Sequence, residues 1–132
     1  MRLLIVDDDR DVVALVREII DWSSLGVNKV HGAYNIRAAK SIFDTPVDIV
    51  ISDIEMPGGS GLELVKWARA NHYESEFIFL TCHDRFDFIK QAMQYGALSY
   101  VLKPFGRDEI LGEVLKAIDR IKHSVRLSTY EE

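Results

Sequence analysis

Side chains that could carry out phosphate or metal chemistry come directly after short apolar runs in this sequence. Asp7 and Asp8 follow the first run, Asp53 ends the third, Thr81 the fourth and Lys103 the fifth. If the first and third runs are neighbouring strands, three carboxylates converge on one small pocket. Two carboxylates ~5 Å apart repel by about 3 kcal/mol at an effective dielectric constant near 20, so this cluster needs a counter-charge.

A hard divalent cation with oxygen ligands would supply that counter-charge. Mg²⁺ uses one or two carboxylates, keeps several waters and accepts a phosphate oxygen. Lys103 would add a positive point charge, and Thr81 a hydroxyl donor. Each residue also has a structural interpretation: an aspartate after a strand is often a helix N-cap, as we expect for Asp9. Three aspartates at two neighbouring strand ends, with a lysine at another, favour a functional site.

The elements that must position these residues are five βα units. Continuous apolar runs are typical of strands buried on both faces, which indicates a parallel sheet covered by helices. In such sheets ligands bind at the carboxyl ends of the strands. The predicted strands are residues 3–6, 27–34, 49–53, 77–80 and 98–102.

Length and composition indicate a single globular domain without disulfides. The chain has 132 residues, 48% of them hydrophobic and 28% charged, and its only cysteine is Cys82. A net charge of −5 argues against a nucleic-acid-binding surface on this domain. No apolar stretch approaches the ~18–20 residues of a membrane span, and no signal peptide is recognisable, so we expect a cytoplasmic protein without membrane contact.

Five motifs, in order, together resemble a response-regulator receiver domain (CheY-like) of two-component signalling. They are Ile5-Val6-Asp7-Asp8-Asp9, residues 51–57 (ISDIEMP), Gly61, Leu80-Thr81 and residues 100–105 (YVLKPF). The resemblance spans about residues 2 to 122. It implies an α/β, doubly wound (flavodoxin-like) fold, with a five-stranded parallel sheet of order 2-1-3-4-5 and five helices. We expect the receiver to occupy residues 1–123, with residues 124–132 as the end of the last helix and the start of a linker.

The resemblance also implies a role for each site residue. Asp53 would accept a phosphoryl group from a sensor histidine kinase. Asp7, Asp8, Asp53 and the backbone carbonyl of Glu55 would hold Mg²⁺, with Mn²⁺ as an alternative. Lys103 would pair with the carboxylates and then with the phosphoryl oxygens, Thr81 would bond the phosphoryl group, and Tyr100 would change rotamer with Thr81. The peptide bond from Lys103 to Pro104 would be cis.

The loop after the phosphoacceptor departs from the family's usual pattern. Receivers often have an aspartate where this chain has Ser60, although serine can cap the third helix equally well. The glycine-rich stretch 58–61 lacks the lysine of a phosphate-binding P-loop. We expect Glu55 and His83 to influence phosphoryl lifetime.

Three functions remain open from the sequence. The first is a phosphorylation switch. It would catalyse its own phosphorylation and slow dephosphorylation, but it would not be an enzyme that turns over a separate substrate. It would act through the surface of helix 4, strand 5 and helix 5, with a phosphorylation-linked homodimer. The second is a small Mg²⁺-dependent phosphohydrolase, and the third a receiver that does not respond to phosphate.

The output of the switch is also open. Residues 21–26, 33–35 and 82–88 resemble receivers that precede AraC-type DNA-binding domains. DNA would then be bound only through an output domain absent from this chain. The alternative is a stand-alone receiver acting through protein contacts.

Among Phe86, Phe88 and Tyr95, we expect two rings in the core.

Overall fold

Five apolar runs form parallel strands in the computed structural model, which describes residues 1–82 and 86–131, with side chains as far as Ser124. The five long strands and the five α-helices alternate along the chain as predicted. In order they are β1 (Arg2–Val6), α1 (Arg10–Ile19), a 3₁₀ turn (Trp22–Leu25), β2 (Lys29–Ala33), α2 (Ile36–Ile42), β3 (Ile49–Asp53), β4 (Glu55–Met56), β5 (Gly59–Ser60), α3 (Gly61–Ala70), β6 (Glu76–Thr81), α4 (Phe86–Gln94), β7 (Ser99–Leu102) and α5 (Arg107–Glu131).

The strand order confirms the predicted fold class. The five long strands pair in the order β2-β1-β3-β6-β7, all parallel. Numbered as five, this is the expected order 2-1-3-4-5 of a flavodoxin-like sheet. Because β1 and β3 are neighbours, the carboxyl ends that carry the aspartates lie side by side.

Two apolar cores cover the two faces of the sheet, because successive strand residues point to opposite faces. One core packs against α2, α3 and α4 and the other against α1 and α5. The first includes Leu4, Val6, Val50, Leu64, Val65, Phe77, Phe79 and Ile89. The second includes Leu3, Ile5, Val13, Val16, Ile49, Ile51, Leu80, Ile110 and Val114.

Residues 55–60 form a short antiparallel ribbon that we had expected to be a loop. Glu55 pairs with Ser60, and Met56 with Gly59. Pro57 and Gly58 make the turn, and Gly58 has a φ of 77°, which suits proline followed by glycine in a type II turn. Gly58 therefore serves a defined turn between two short strands.

Both predicted serine and aspartate caps are confirmed. The Asp9 carboxylate accepts a hydrogen bond from the Asp11 N–H at the start of α1. The Ser60 hydroxyl accepts one from the Glu63 N–H at the start of α3. Serine is therefore an effective cap for α3.

The expectation that two of three aromatic rings lie in the core is wrong. Phe88 packs partly buried against the core, but Phe86 and Tyr95 are 64% and 38% exposed. Phe86 is the first residue of α4 and Tyr95 lies just beyond its end, so both fall outside the turns that place Ile89 and Ala92 on the sheet.

Helix α5 passes without a break through the expected domain boundary at residues 123–124, and the division there stays a prediction. Across the described stretches 1–82 and 86–131, no helix combines the length and apolar character needed to span a membrane.

Candidate functional site

Three aspartates converge at the carboxyl edge of the sheet. Asp7 follows β1 and Asp53 ends β3, and these strands are paired up to Val6 and Ser52. Asp7, Asp8 and Asp53 each offer an oxygen, and these oxygens all lie within 4.8 Å of one another. Asp7 and Asp53 are buried, whereas Asp8 is exposed.

Lys103 supplies a positive charge to this cluster. Its Nζ lies 3.0 Å from Oδ2 of Asp7 and 3.4 Å from Oδ1 of Asp53. The Lys103 N–H donates to the Thr81 carbonyl at 2.8 Å, which fixes the start of the loop after β7. The peptide bond from Lys103 to Pro104 is cis, as the family resemblance implied.

Burial dominates the electrostatics of the two inner carboxyls. The pKa of Asp53 is raised to about 6, because burial and the nearby Asp7 charge, which raise it, outweigh Lys103 and the Glu55 N–H, which lower it. Burial also raises the pKa of Asp7, against the opposing effects of the Asp9 N–H and Lys103.

The Lys103 ammonium responds in the opposite sense. Burial by itself would lower its pKa, but the hydrogen bond to Asp7 and the charges of both carboxylates outweigh burial and raise it. Lys103 is therefore a firmly charged cation between two buried acids.

Thr81 and Tyr100 lie on the neighbouring strands β6 and β7. The Thr81 side chain is buried at the end of β6, and its hydroxyl donates to the Cys82 carbonyl at 3.0 Å. Tyr100 pairs in register with Phe79 and packs half-buried against the core under α4. Both residues thus lie on the two strands that lead into the site from the Lys103 side.

Glu55 begins the ribbon next to the phosphoacceptor candidate. Its N–H donates to the Asp53 carboxylate, and its side chain is exposed. The expected role of its carbonyl as a metal ligand stays a prediction. His83, which we expected to affect phosphoryl lifetime, lies outside the described residues.

Two residues, Ser52 and Gly61, contact the Asp53 backbone carbonyl or lie against it, and sequence reasoning predicted neither of these contacts. The hydroxyl of the fully buried Ser52 donates to the Asp53 backbone carbonyl at 2.9 Å. A Cβ at Gly61 would collide with the same carbonyl, so α3 can begin at this point only with glycine. The glycine directly before an apolar helical pattern was the available signal.

The donor set fits a hard divalent cation. Three clustered carboxylates face one ammonium, so the pocket carries excess negative charge. Carboxylate oxygens are the ligands that Mg²⁺ and Mn²⁺ favour. The acidic pocket of Asp7, Asp8 and Asp53 is therefore able to hold such a metal.

Comparisons with known proteins show which proteins this chain is similar to. Residues 3–115 match the family model described as the response regulator receiver domain. The uncharacterized transcriptional regulatory protein YesN of Bacillus subtilis is 35% identical over 122 residues, covering 92% of this chain and 33% of YesN. The chain therefore spans about a third of the length of that relative.

Two further matches cover nearly the whole of the compared protein. Sporulation initiation phosphotransferase F of Bacillus subtilis is 29% identical over 115 residues, covering 87% of this chain and 91% of that protein. The crystal structure of a two component transcriptional regulator AraC from Clostridium phytofermentans superposes with a TM-score of 0.86 at 26% identity. That match covers 93% of this chain and 96% of the solved chain.

Proposed function

We propose, from the premise that this chain belongs to the response regulator receiver domain family, that Asp53 is its phosphoacceptor in two-component signalling. The observation that carries the proposal is the cluster of Asp53, Asp7 and Asp8 with the Lys103 ammonium. A sensor histidine kinase is the proposed donor. Apart from its own phosphorylation and slow dephosphorylation, the domain has no reaction to catalyse.

Asp53 is suited to act as the nucleophile without a general base. A carboxyl with a pKa of about 6 is mostly ionised at neutral pH. Its oxygen forms a bond to phosphorus while the bond from phosphorus to the donor histidine nitrogen breaks. This reaction depends on in-line positioning and on neutralising the equatorial oxygens.

Asp7, Asp8, Asp53 and the backbone carbonyl of Glu55 are the proposed metal ligands. Mg²⁺, or Mn²⁺ in its place, would supply charge neutralisation for the phosphoryl oxygens. The chain's own contribution is to hold buried Asp7 and Asp53 next to Lys103, so that their repulsion is partly balanced before a metal binds.

Lys103 and Thr81 are the proposed partners of the phosphoryl group. Lys103 would exchange its pairing with Asp53 for one with a phosphoryl oxygen. The Thr81 hydroxyl would leave the Cys82 carbonyl for the same group. Tyr100 would then repack, because Thr81 and Tyr100 lie on paired strands. Glu55 and His83 would tune how long the phosphoryl group persists.

The proposed output surface consists of α4, β7 and α5. Its exposed apolar side chains include Phe86, Met93, Tyr95 and Leu102. Phosphorylation would shift a pre-existing equilibrium at this surface and favour a homodimer.

The transcriptional-regulator names of several relatives support a DNA-binding output domain outside this chain. The near-complete coverage of sporulation initiation phosphotransferase F keeps a stand-alone receiver as the second candidate.

We also infer a cytoplasmic location for the domain. Its one cysteine, Cys82, is exposed and unpaired, which suits a reducing compartment.

Labelling with acetyl phosphate in the presence of Mg²⁺ tests the proposal. Wild-type protein should gain one phosphoryl group by intact mass, and should not do so in EDTA. Asp53→Asn should abolish labelling, whereas Asp44→Asn, at an exposed aspartate after α2, should leave it unchanged. Undiminished labelling of Asp53→Asn would overturn the assignment. Rapid multiple turnover of p-nitrophenyl phosphate would favour the phosphohydrolase instead.

A further inference from the structure

Arg10 and Tyr34 form a stacked pair beside the carboxylate cluster. The Arg10 guanidinium carbon lies 4.0 Å from the centroid of the Tyr34 ring. Both side chains are exposed. Stacking on an aromatic face restrains the guanidinium while leaving its N–H edges free to donate.

The pair lies at the same sheet edge as the aspartates. Arg10 is the first residue of α1 and follows exposed Asp8 by two positions. The Asp7 N–H donates to the Ala33 carbonyl at 3.1 Å, so Tyr34 leaves the sheet next to the aspartates. Arg10 thus flanks the cluster on the β2 side, while Lys103 approaches from β7.

The excess negative charge of the pocket indicates a role for the Arg10 guanidinium in binding an anionic donor. An incoming phosphoryl donor is an anion, and it meets three carboxylates and one ammonium that is already engaged with Asp7 and Asp53. Within residues 1–82 and 86–124, no carboxylate lies within ion-pair distance of Arg10. A cation in the first turn of a helix is also opposed by the helix dipole, so local helix stability does not account for it.

We propose that Arg10, held by Tyr34, is a donor-binding residue of the phosphoryl-transfer reaction. Its guanidinium attracts and orients the dianionic phosphoryl group of the donor before Asp53 attacks. The inference rests on the proposed function of Asp53. The same chemistry would serve a free acyl phosphate or the phosphohistidine of a kinase, because planar guanidinium donors match phosphoryl oxygens in either compound.

Arg10 contacts the phosphoryl group equally in the donor complex and in the transition state, so the contact strengthens donor binding without lowering the barrier from the bound state. Its loss should therefore raise the apparent KM with little change in kcat. Screening by salt should weaken the effect, since the guanidinium is exposed.

The test compares Arg10→Gln with Arg17→Gln at fixed, saturating Mg²⁺. Arg17 is an exposed arginine in the last turn of the same helix, so the two variants change net charge equally. Arg10→Gln should lower kcat/KM for acetyl phosphate by about three- to tenfold, with a weaker dependence on ionic strength, and Arg17→Gln should not. Tyr34→Phe should match wild type, and Tyr34→Leu should show part of the loss.

Phosphoramidate, a zwitterion with a phosphorus–nitrogen bond, serves as the second donor. An equal loss with both donors assigns Arg10 to the phosphoryl group in general, and a loss with acetyl phosphate alone assigns it to dianionic acyl phosphates. Arg10→Gln behaving like Arg17→Gln with both donors overturns the proposal. So does a loss confined to kcat or accompanied by weaker Mg²⁺ binding. Absence of wild-type labelling on Asp53 would instead overturn the proposed function.

Discussion

The Lys103 ammonium lies 3.0 Å from the Asp7 carboxylate, although the two residues are 96 positions apart in the chain. The Asp7 side chain is 1% exposed and that of Lys103 25%, so the lysine is the more accessible partner of a buried acid. Lys103 therefore links the end of β7 to the end of β1, and its positive charge balances the buried negative charge of Asp7.

Lys103→Met should destabilise the protein by about 2–4 kcal/mol at neutral pH in EDTA, because it leaves two buried carboxylates without their cation. The matched change Lys116→Met removes an exposed pair with Glu113 and should cost less than ~1 kcal/mol. Urea unfolding measures both values. Mg²⁺ should recover part of the Lys103→Met loss, and equal effects of the two variants would contradict the role of Lys103.

Asp53→Asn should make the metal-free protein more stable. The folded-state pKa of Asp53, about 6, is raised above its ordinary value of 3.8, so the folded protein holds this proton more tightly than the unfolded chain. As pH rises from about 4 to about 6, the free energy of unfolding of the wild type therefore falls below that of Asp53→Asn. Above that range the difference between the two proteins is constant. We expect a plateau of about 2–3 kcal/mol in EDTA.

Unfolding curves in EDTA between pH 4 and pH 8 measure this difference, with Asp44→Asn as the control. If the stability advantage of Asp53→Asn over wild type instead grew as pH fell, ionised Asp53 would stabilise the fold, contrary to the burial argument. Adding Mg²⁺ should narrow the gap by stabilising wild type selectively.

Gly61→Ala should damage both folding and phosphorylation. The added Cβ would collide with the Asp53 backbone carbonyl and lie 2.7 Å from the Phe79 ring, so the start of α3 must move. We expect a loss of about 2–3 kcal/mol and slower labelling of Asp53. Gly112→Ala is the control, because an added Cβ there meets nothing within 4 Å and alanine favours a helix interior by ~1 kcal/mol. Equal stability of the two variants would refute the packing argument.

Arg69→Met should loosen the end of α4. The Arg69 Nε donates to the Tyr95 carbonyl at 2.8 Å, and its two terminal nitrogens donate to the carbonyls of Tyr73 and Ser75 at 2.7 and 2.9 Å. Losing these charged donors should cost about 2–3 kcal/mol and speed amide hydrogen exchange around residues 73–76 and 95–97.

The control for this change is Arg120→Met, which removes a pair with Glu76 at 3.5 Å from an arginine side chain that is 52% exposed. It should leave amide exchange near Tyr95 unchanged, because its partner is the Glu76 carboxylate and not the Tyr95 carbonyl. Protection near Tyr95 that survives in Arg69→Met would show that α4 is anchored by other contacts.

The meeting of Asp7, Asp53 and Lys103 was predictable, because the strands of a parallel sheet present their carboxyl ends at one edge. The caps at Asp9 and Ser60 were predictable for a similar reason: capping depends on residue type and on the three or four positions that follow. The ribbon at residues 55–60 was not, because two-residue strands leave no period to detect. The exposure of Phe86 and Tyr95 depended on where α4 begins and ends.

By itself the sequence determined the fold class and the chemical groups at the site edge, since periodicity and side-chain type are local properties of the chain. Only the tertiary structure decided which of the adjacent acids Asp7 and Asp8 is buried, how far burial raises the pKa of Asp53, and that Arg10 stacks on Tyr34. These features depend on distances between residues far apart in the chain and on exclusion of water, and neither is set until the sheet and helices pack.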